Sequence, residues 1–367
     1  MATNLIFDGR VPAAASPERR RIADDMALLK AAAELTRELS TPDPRIYWAD
    51  FLASVVVGYT ALAGAILAGA FWPALGFAAV AVLALYRAES FIHEISHVKH
   101  SALPRFRGAW NAFIGVPLMV PSFMYEGVHN LHHAKTRYGT AEDPEYLPLA
   151  LMKPWTLPVF ILIAALAPIG LIIRFALLGP LSLLSPKLRE LVVARYSGLV
   201  INPVFRRRPA EGDAKARWQR LEIVTSLWAM TFVTLAATGV LPLRAVLIIL
   251  GIASAVAVLN QVRTLVAHLW ENEGEAMTVT AQYLDSVNVP PPATLPALWA
   301  PVGLRYHALH HLLPSVPYHN LGIAHRRLAA MLDSDSLYFK ANYSGLPGLM
   351  WKIGLSAVTC GGRGLPR

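Results

Sequence analysis

Eight of the twelve histidines in this 367-residue chain fall into three short clusters. The clusters follow the patterns HxxxH, HxxHH and HxxHH, and their members are His93, His97, His129, His132, His133, His307, His310 and His311. A ninth histidine, His268, follows the last long apolar segment. Residues three and four positions apart share one face of a helix, so each cluster is expected to present a convergent set of imidazoles. Three such sets together would supply ligands for two transition-metal ions.

The ligand type limits the chemistry. Neutral imidazole suits iron, copper, zinc or nickel, and nine candidate ligands exceed the four that one structural zinc ion takes. Two metal ions sharing the set is the economical interpretation, and iron is the metal that activates dioxygen for attack on unreactive C–H bonds. His100 lies three residues after His97 and is a possible additional ligand.

Acidic residues near the clusters are expected to hold the imidazole N–H groups and to fix the ring orientations. The candidates are Glu94, Glu126, Asp143, Glu145 and Asp285. Glu126 lies one helical turn before His129 and is therefore the first to test.

The composition is typical of an integral membrane protein. The chain is 55% hydrophobic and 16% charged, with a mean hydropathy of +0.43, whereas soluble domains contain about 25% charged residues. The single cysteine, Cys360, excludes an intrachain disulfide. It also excludes a built-in rubredoxin or iron–sulfur centre, which needs four cysteine ligands.

Four apolar segments are close to the roughly 20 residues that a membrane span requires, and these are 51–70, 72–88, 222–240 and 244–265. Two further segments, 112–124 and 156–185, are interrupted by proline and glycine and are predicted to be re-entrant or interfacial. If the three clusters share one centre, an even number of crossings must separate the second cluster from the third. The stretch 186–221 carries nine basic residues against three acids, so the positive-inside rule assigns it to the cytosol.

The predicted fold class is an all-α integral membrane protein with four transmembrane helices and a cytosolic helical cap that holds a histidine-rich dimetal site. Residues 1–45 form an N-terminal cytosolic segment with an amphipathic helix over roughly 17–39, residues 46–335 form the membrane domain, and residues 336–367 form a C-terminal cytosolic tail. Both termini and the site are expected in the cytosol, in a bacterial inner membrane. Topology accounts for most of the net charge of +9, so nucleic acid is not an expected partner.

The order and spacing of His93-Glu94-Ile95-Ser96-His97, His129-Asn130-Leu131-His132-His133 and His307-Ala308-Leu309-His310-His311 resemble those of the membrane fatty acid desaturase and hydroxylase superfamily. The resemblance covers roughly residues 50–330, and His268 matches the single ligand histidine that the superfamily places after its last span. It implies a mushroom-shaped four-span bundle, a histidine-bound di-iron centre, and oxygen-dependent oxidation of a lipid chain. Neither end carries a fused cytochrome b5 domain, so a separate ferredoxin- or rubredoxin-like donor with its reductase is expected to supply electrons.

Within the superfamily, the expected reaction is desaturation of a fatty acyl chain that enters from the membrane as a free acid or a thioester. Oxidative decarboxylation to a 1-alkene and lipid hydroxylation are the alternatives.

Two other classes of protein compete with this interpretation. The first cluster also matches the HExxH pattern of zinc proteases, in which Glu94 would be the general base, but a protease would leave two clusters without a role. A metal transporter or sensor would place metal-binding polar residues inside the spans, which are nearly free of them.

Overall fold

The computed structural model describes residues 22–360, which are largely helical and contain no β-strand, only isolated bridges. Five helical segments are long and apolar enough to cross a membrane. They are α1 (Pro44–Leu67), α2 (Phe71–His97), α3 (Thr156–Leu181), α4 (Gly212–Ala237) and α5 (Leu243–Leu265). The predicted spans 51–70, 72–88, 222–240 and 244–265 correspond to α1, α2, α4 and α5, each with somewhat different ends.

Helix α1 begins earlier than the apolar pattern indicates because a polar cap starts it. The side chain of Asp43 accepts a hydrogen bond from the backbone N–H of Arg45, and Pro44 occupies the first helical position, where its missing N–H is tolerated. Helix α1 then packs closely on α2: a Cβ atom at Gly58 would lie 2.7 Å from the side chain of Leu85. Glycine is therefore needed for the approach of the two helices.

Helix α2 extends beyond its apolar part and carries the first histidine cluster in its last turns. Its position relative to the short helices that surround the histidines, here called the cap, is fixed by partly buried polar contacts. Arg87 forms an ion pair with Asp50 of α1 at 2.5 Å, and the same carboxylate accepts a hydrogen bond of 2.8 Å from the hydroxyl of Tyr318. The α1–α2 hairpin and the cap are thereby joined next to the histidines.

Segment α3 meets the length of a span although 156–185 is predicted not to cross. It is not a uniform α-helix, because it tightens at Ile163–Leu166 and widens at Ile173–Leu178. Near its start, Phe160 lies 6.4 Å from the ring of Trp270, two residues after His268. Near its end, Arg174 forms an ion pair of 2.5 Å with Glu222, close to the basic start of α4. These contacts join the first part of α3 to the segment after α5 and the last part of α3 to α4; that α3 does not cross stays a prediction.

The remaining helices are shorter than the five long ones, and several of them form the cap. The α-helices are Met26–Thr36, Phe106–Trp110, His129–His132, Pro186–Tyr196, Val279–Asp285, Pro296–Trp299, His307–Leu312, Tyr318–Met331 and Leu346–Cys360. Single turns of other helix types lie at Arg37–Ser40, Asn111–Gly115, Ser122–Met124, Leu149–Leu151 and Leu337–Ala341. The segment 112–124 is thus broken into short turns, as its prolines and glycine indicate.

Both ends of the described range pack on the cap. The predicted helix over 17–39 corresponds to Met26–Thr36, which begins where the side chain of Asp25 accepts from Leu28 N–H; residues 17–21 lie outside the described residues. Leu28 and Ala32 are buried in a core cluster with Leu328. Within the segment predicted as a tail, Leu346–Cys360 is a helix whose Leu349 is fully buried in the cluster that contains Trp270.

Candidate metal centre

The structure brings all nine predicted ligand histidines together, in two groups. Within each group, one nitrogen atom of every member lies within 4.8 Å of one nitrogen atom of every other member. The first group comprises His93, His97, His129, His133 and His310, and the second comprises His132, His268, His307 and His311. Each group has enough nitrogen donors for one metal ion. The possible additional ligand His100 is exposed and lies outside both groups.

Each HxxHH cluster contributes to both groups. In the second cluster the pair at i and i+4, His129 and His133, belongs to the first group, and the histidine at i+3 belongs to the second. The third cluster does the reverse, since only its i+3 histidine, His310, belongs to the first group. Successive residues of a helix point about 100° apart, so adjacent histidines face different groups. The two clusters therefore join the two candidate metal sites into one centre.

The Nε2 atoms point at one another in both groups. In the first, three such pairs lie 3.0 to 3.2 Å apart, and in the second, two pairs lie at 3.0 and 3.1 Å. When Nδ1 carries the ring proton, Nε2 presents a lone pair, and lone pairs that face each other at this distance repel. A bound cation removes this repulsion. In addition, both ring nitrogens of His93 are buried without a hydrogen-bond partner among the described residues. The donor set thus fits a pair of metal ions.

Asp143 orients His132. The Nδ1 atom of His132 lies 3.0 and 2.9 Å from the two carboxylate oxygens of Asp143, which is fully buried. A carboxylate only accepts, so Nδ1 carries the proton and Nε2 is left free to bind a metal. The carboxylate is itself held by the backbone N–H groups of Gly139 and Glu145, both at 2.8 Å.

Glu145 performs the same task for His129. The Nδ1 atom of His129 donates to Oε1 of Glu145 at 3.0 Å, and the hydroxyl of Tyr125 donates to Oε2 at 3.2 Å. The rings of Tyr125 and His129 are stacked, with centroids 4.6 Å apart. Burial raises the pKa of Glu145 to about 7, against the opposing effect of His132.

Asp285 acts on His268 through a tyrosine. The hydroxyl of Tyr138 lies 2.8 Å from Nδ1 of His268 and donates to Oδ2 of Asp285 at 2.9 Å. Asp285 also accepts from the hydroxyl of Tyr146 at 2.9 Å. The tyrosine oxygen thus accepts the Nδ1 proton of His268, and the carboxylate fixes the direction of the tyrosine hydroxyl.

The structure does not place Glu126 on a histidine. Its carboxylate forms an ion pair with Arg107, and the helix that carries the second cluster begins only at His129. Gly127 has a φ of +75°, which a regular helix does not allow. The prediction that Glu126 lies one helical turn before His129 is therefore wrong.

Glu94 is closer to the site than Glu126. Its Oε1 atom lies 3.6 Å from Nδ1 of His93. Its other oxygen accepts from the hydroxyl of Tyr47 and, at 3.1 Å, from the backbone N–H of Tyr318. Glu94 therefore fastens the end of α2 to α1 and the cap, and it neighbours His93 without a hydrogen bond.

Burial keeps most of the imidazoles neutral. It lowers the pKa of the group members that lie outside the long helices, except His132, and these are His129, His133, His268, His307, His310 and His311. Burial acts in the same direction on His132, but the charge and the hydrogen bond of Asp143 outweigh it and raise that pKa. Neutral imidazole is the form that binds a metal.

Several residues at the site had not been expected from the sequence. Tyr125 and Tyr138 contact ring nitrogens of the histidines, as does Ser286, whose Oγ lies 3.2 Å from Nδ1 of His268. The fourth is Arg263, whose Nη2 atom lies 3.1 Å from Nδ1 of His307. An arginine inside an apolar span was a usable signal, whereas nothing in the local sequence distinguishes the tyrosines.

Comparison with known proteins agrees with this geometry. The model of the fatty acid desaturase family matches residues 69–342. The chain is also 49% identical to a ceramide hydroxylase of Caulobacter vibrioides (strain NA1000 / CB15N) over 326 residues, which is 89% of this chain and 93% of the relative. No solved structure gives a significant match. The chain therefore belongs to the fatty acid desaturase family and is an oxidoreductase.

Proposed function

We propose that this protein is an oxygen-dependent di-iron hydroxylase whose substrate is a ceramide-type membrane lipid. The observation that carries the proposal is the pair of interlocked histidine groups in a chain that is 49% identical to a ceramide hydroxylase over nearly its whole length. The sequence alone favoured desaturation of a fatty acyl chain, with hydroxylation as an alternative. The similarity to a ceramide hydroxylase favours hydroxylation.

The two histidine groups would hold the iron ions. Iron supplies activation of dioxygen toward a C–H bond, a reaction that no side chain can perform. In hydroxylation, one oxygen atom of dioxygen enters a C–H bond and the other leaves as water, while a donor supplies two electrons and two protons. Desaturation consumes the same reagents, removes two hydrogens from the lipid and releases two waters. The consumption of dioxygen, electrons and protons is therefore the same in both reactions, and only the lipid product distinguishes them.

The residues of this chain prepare the site for that chemistry. Asp143 and Glu145 hold Nδ1 protons of His132 and His129 and thereby aim Nε2 at the groups. Tyr138 does so for His268. Because imidazole is neutral when it binds a metal, the ions keep a high positive charge, and the carboxylates held behind the rings partly offset it.

The substrate and the electron donor approach from different directions in this proposal. The lipid enters from the membrane between the long helices. A separate ferredoxin- or rubredoxin-like donor would approach the basic side of the protein, where a cleft of about 910 Å³ is lined by arginines and by the segment before the second histidine cluster. The arginines of this cleft are Arg105, Arg107, Arg137, Arg206, Arg207, Arg208, Arg217 and Arg220. An acidic donor is therefore expected, because complementary charge accelerates encounter.

The experiment is product analysis with purified protein in lipid nanodiscs. A ceramide and a free fatty acid of equal chain length are supplied in parallel with heavy-oxygen-labelled dioxygen and a reducing system. The expected product is a ceramide that has gained one labelled oxygen atom, and the variant His310→Ala is expected to form none. A ceramide that lost two hydrogens would establish a desaturase instead. Conversion of the free acid alone would contradict the proposed substrate.

A further inference from the structure

The helix Leu346–Cys360, here called the terminal helix, is apolar around most of its circumference. Lys352 is its single charged residue, and its ammonium group donates to the hydroxyl of Tyr343 at 3.0 Å, which turns the charge toward the protein. A surface helix of a soluble protein carries polar and charged side chains on its outer face, whereas a helix that is hydrophobic all round is normally buried. The terminal helix therefore needs an apolar partner on each of two sides.

The inner side of the terminal helix packs on the core. Leu349, Ile353 and Ala357 follow one another at intervals of four residues, and all three are buried. Leu349 and Ile353 belong to the core cluster that contains Trp270, and the helix also packs on the turn Leu149–Leu151. The protein itself thus supplies the first apolar partner.

The outer side of the terminal helix is exposed. Trp351, Leu355 and Val358 lie at i, i+4 and i+7, which is the spacing of one helix face, and they are 74%, 51% and 62% exposed. Contact of such a row with water is unfavourable, and contiguous exposed apolar side chains mark a site that binds a protein or a membrane. The second apolar partner must therefore come from outside the chain.

The position of the terminal helix in the fold identifies the membrane as this partner. The core cluster on which it packs includes Phe160 from the first turns of α3, together with Leu265 and Val266 at the end of α5. Helix α5 ends there, just before His268. An apolar span ends where the hydrocarbon layer ends, so the terminal helix lies at the level of the membrane surface, on the side of the histidine centre.

A second exposed tryptophan lies at the same boundary. Trp155 directly precedes α3 and is 49% exposed, and it follows closely on the turn Leu149–Leu151 that contacts the terminal helix. Tryptophan concentrates at membrane–water boundaries, because its ring is apolar and its N–H group is polar. Trp155 and Trp351 are both suited to this environment.

We propose that the terminal helix lies in the membrane surface on the side of the histidine centre, with Trp351, Leu355 and Val358 inserted between the lipids. Helices of this kind bury their apolar face about 5 to 10 Å deep. The contact fastens the core behind the second histidine group to the membrane, since the ring of Trp270 lies 5.0 Å from that of His268. This role goes beyond the proposed function and is independent of the reaction that the centre performs.

A second copy of the chain fits the outer side less well than the membrane does. The terminal helix has 15 residues, so it is about 22 Å long and about 10 Å wide, and one of its faces covers roughly 200 Å². Each partner in a stable protein complex buries about 800 Å². The face is therefore too small for a stable dimer, whereas a membrane needs only an apolar row at the correct depth.

Single cysteines that carry an environment-sensitive fluorophore test the insertion in lipid nanodiscs. The natural Cys360 is replaced by serine, and Trp351→Cys and Leu355→Cys place the fluorophore on the outer side of the terminal helix. At both positions the emission is expected to shift to shorter wavelength. Lipids with a nitroxide on the acyl chain are expected to quench it strongly, and aqueous iodide is expected to quench it weakly.

The matched control is Met331→Cys. Met331 is 68% exposed at the end of the helix Tyr318–Met331, so it resembles Trp351 in exposure and in apolar character. It is followed by the exposed acids Asp333 and Asp335, which indicate contact with water. The fluorophore at this position is expected to be quenched by iodide and to be insensitive to the nitroxide lipids.

Two results would overturn the proposal. If iodide quenches positions 351 and 355 as strongly as position 331, and the nitroxide lipids do not, the outer side of the terminal helix lies in water. If neither quencher reaches these positions, a protein covers the face, and a disulfide-linked dimer of Trp351→Cys would identify that protein as a second copy.

Leu355→Glu provides a test that needs no label. In water, replacement of an exposed apolar side chain by a charged one changes the stability little, whereas a carboxylate between lipid chains is costly. Leu355→Glu is therefore expected to lower the unfolding temperature in nanodiscs, because the terminal helix detaches and uncovers Leu349 and Ile353. Met331→Glu is expected to leave it unchanged. Equal unfolding temperatures of the two variants would contradict the insertion.

Discussion

The Nδ1 atom of His132 lies 2.9 Å from Oδ2 of Asp143, and their side chains are 1% and 0% exposed. This contact adds to the helical geometry that directs His132 and its neighbour His133 to different groups. Asp143 draws the Nδ1 side of His132 away from the first group and leaves Nε2 directed at the second, while His133 pairs with His129 at 3.0 Å. The carboxylate thus helps to separate the two candidate metal sites.

We expect Asp143→Asn to lower the iron affinity about 10- to 100-fold, as for other partners of ligating histidines. An asparagine amide can donate to Nδ1 and stabilise the tautomer whose Nε2 is protonated, which cannot bind a metal. Iron per chain after dialysis measures the effect. The control is Glu142→Gln, since Glu142 precedes Asp143 but is 71% exposed and pairs with Arg137 at 3.6 Å. Equal iron content in both variants would contradict the role of Asp143.

Glu145→Gln and Glu126→Gln distinguish the partner that the structure identifies from the one that the sequence favoured. Glu145 receives the Nδ1 proton of His129, so its amide variant is expected to lose iron and activity about 10-fold or more. Glu126 pairs with Arg107 instead, and its variant is expected to retain iron. Iron analysis and product formation measured on both proteins decide between the two assignments, and the reverse pattern would restore the interpretation from the sequence.

The ligand types and their spacing could be predicted from the sequence, because HxxHH requires only the geometry of one helical turn. The division of the histidines between two groups could not, since it depends on how separate helices meet. The partner of His268 shows the same limit: Tyr138 and Asp285 are 147 residues apart in the chain. The prediction that Glu126 contacts His129 is wrong for a local reason. The positive φ of Gly127 interrupts the helical geometry that the spacing argument requires.

The helices also differ in whether the sequence predicts them. Hydropathy located α1, α2, α4 and α5, because a long apolar run has few alternatives to a span. It did not locate the helix Leu346–Cys360, whose residue Leu349 is buried against a core that includes Trp270. Burial in that core is a tertiary contact, and the sequence of the segment read by itself indicated only a tail.

His100→Ala and His310→Ala test the membership of the groups. His310 lies 3.1 Å from His97 and 3.2 Å from His133, so its loss removes one ligand from the middle of the first group. We expect that variant to bind fewer than two irons per chain and to be inactive. His100 is exposed and outside both groups, and its variant is expected to keep its iron and activity. Loss of iron from His100→Ala would mean that a tenth ligand exists.

The topology can be tested with cysteine labelling, because the natural Cys360 is exposed and can first be replaced by serine. The second and third clusters meet in one centre, so an even number of crossings must separate them. Helices α4 and α5 provide two crossings, and α3 as a third would place the clusters on opposite sides. We therefore expect four spans, with the histidine centre on the cytosolic side.

In whole cells, Val240→Cys between α4 and α5 is expected to react with a membrane-impermeant maleimide, since Val240 is 71% exposed at the opposite end of both helices. Arg208→Cys, in the exposed basic stretch between α3 and α4, is expected to react only after the membrane is permeabilised. Labelling of both positions in intact cells would place Arg208 and Val240 on the same side of the membrane, so α4 would not cross and the four-span topology would be wrong. Labelling of Arg208→Cys alone would place the basic stretch outside the cell, which is the result if α3 crosses or if the whole orientation is inverted. The first case contradicts the convergence of the second and third clusters, and the nine basic residues of 186–221 oppose both cases through the positive-inside rule.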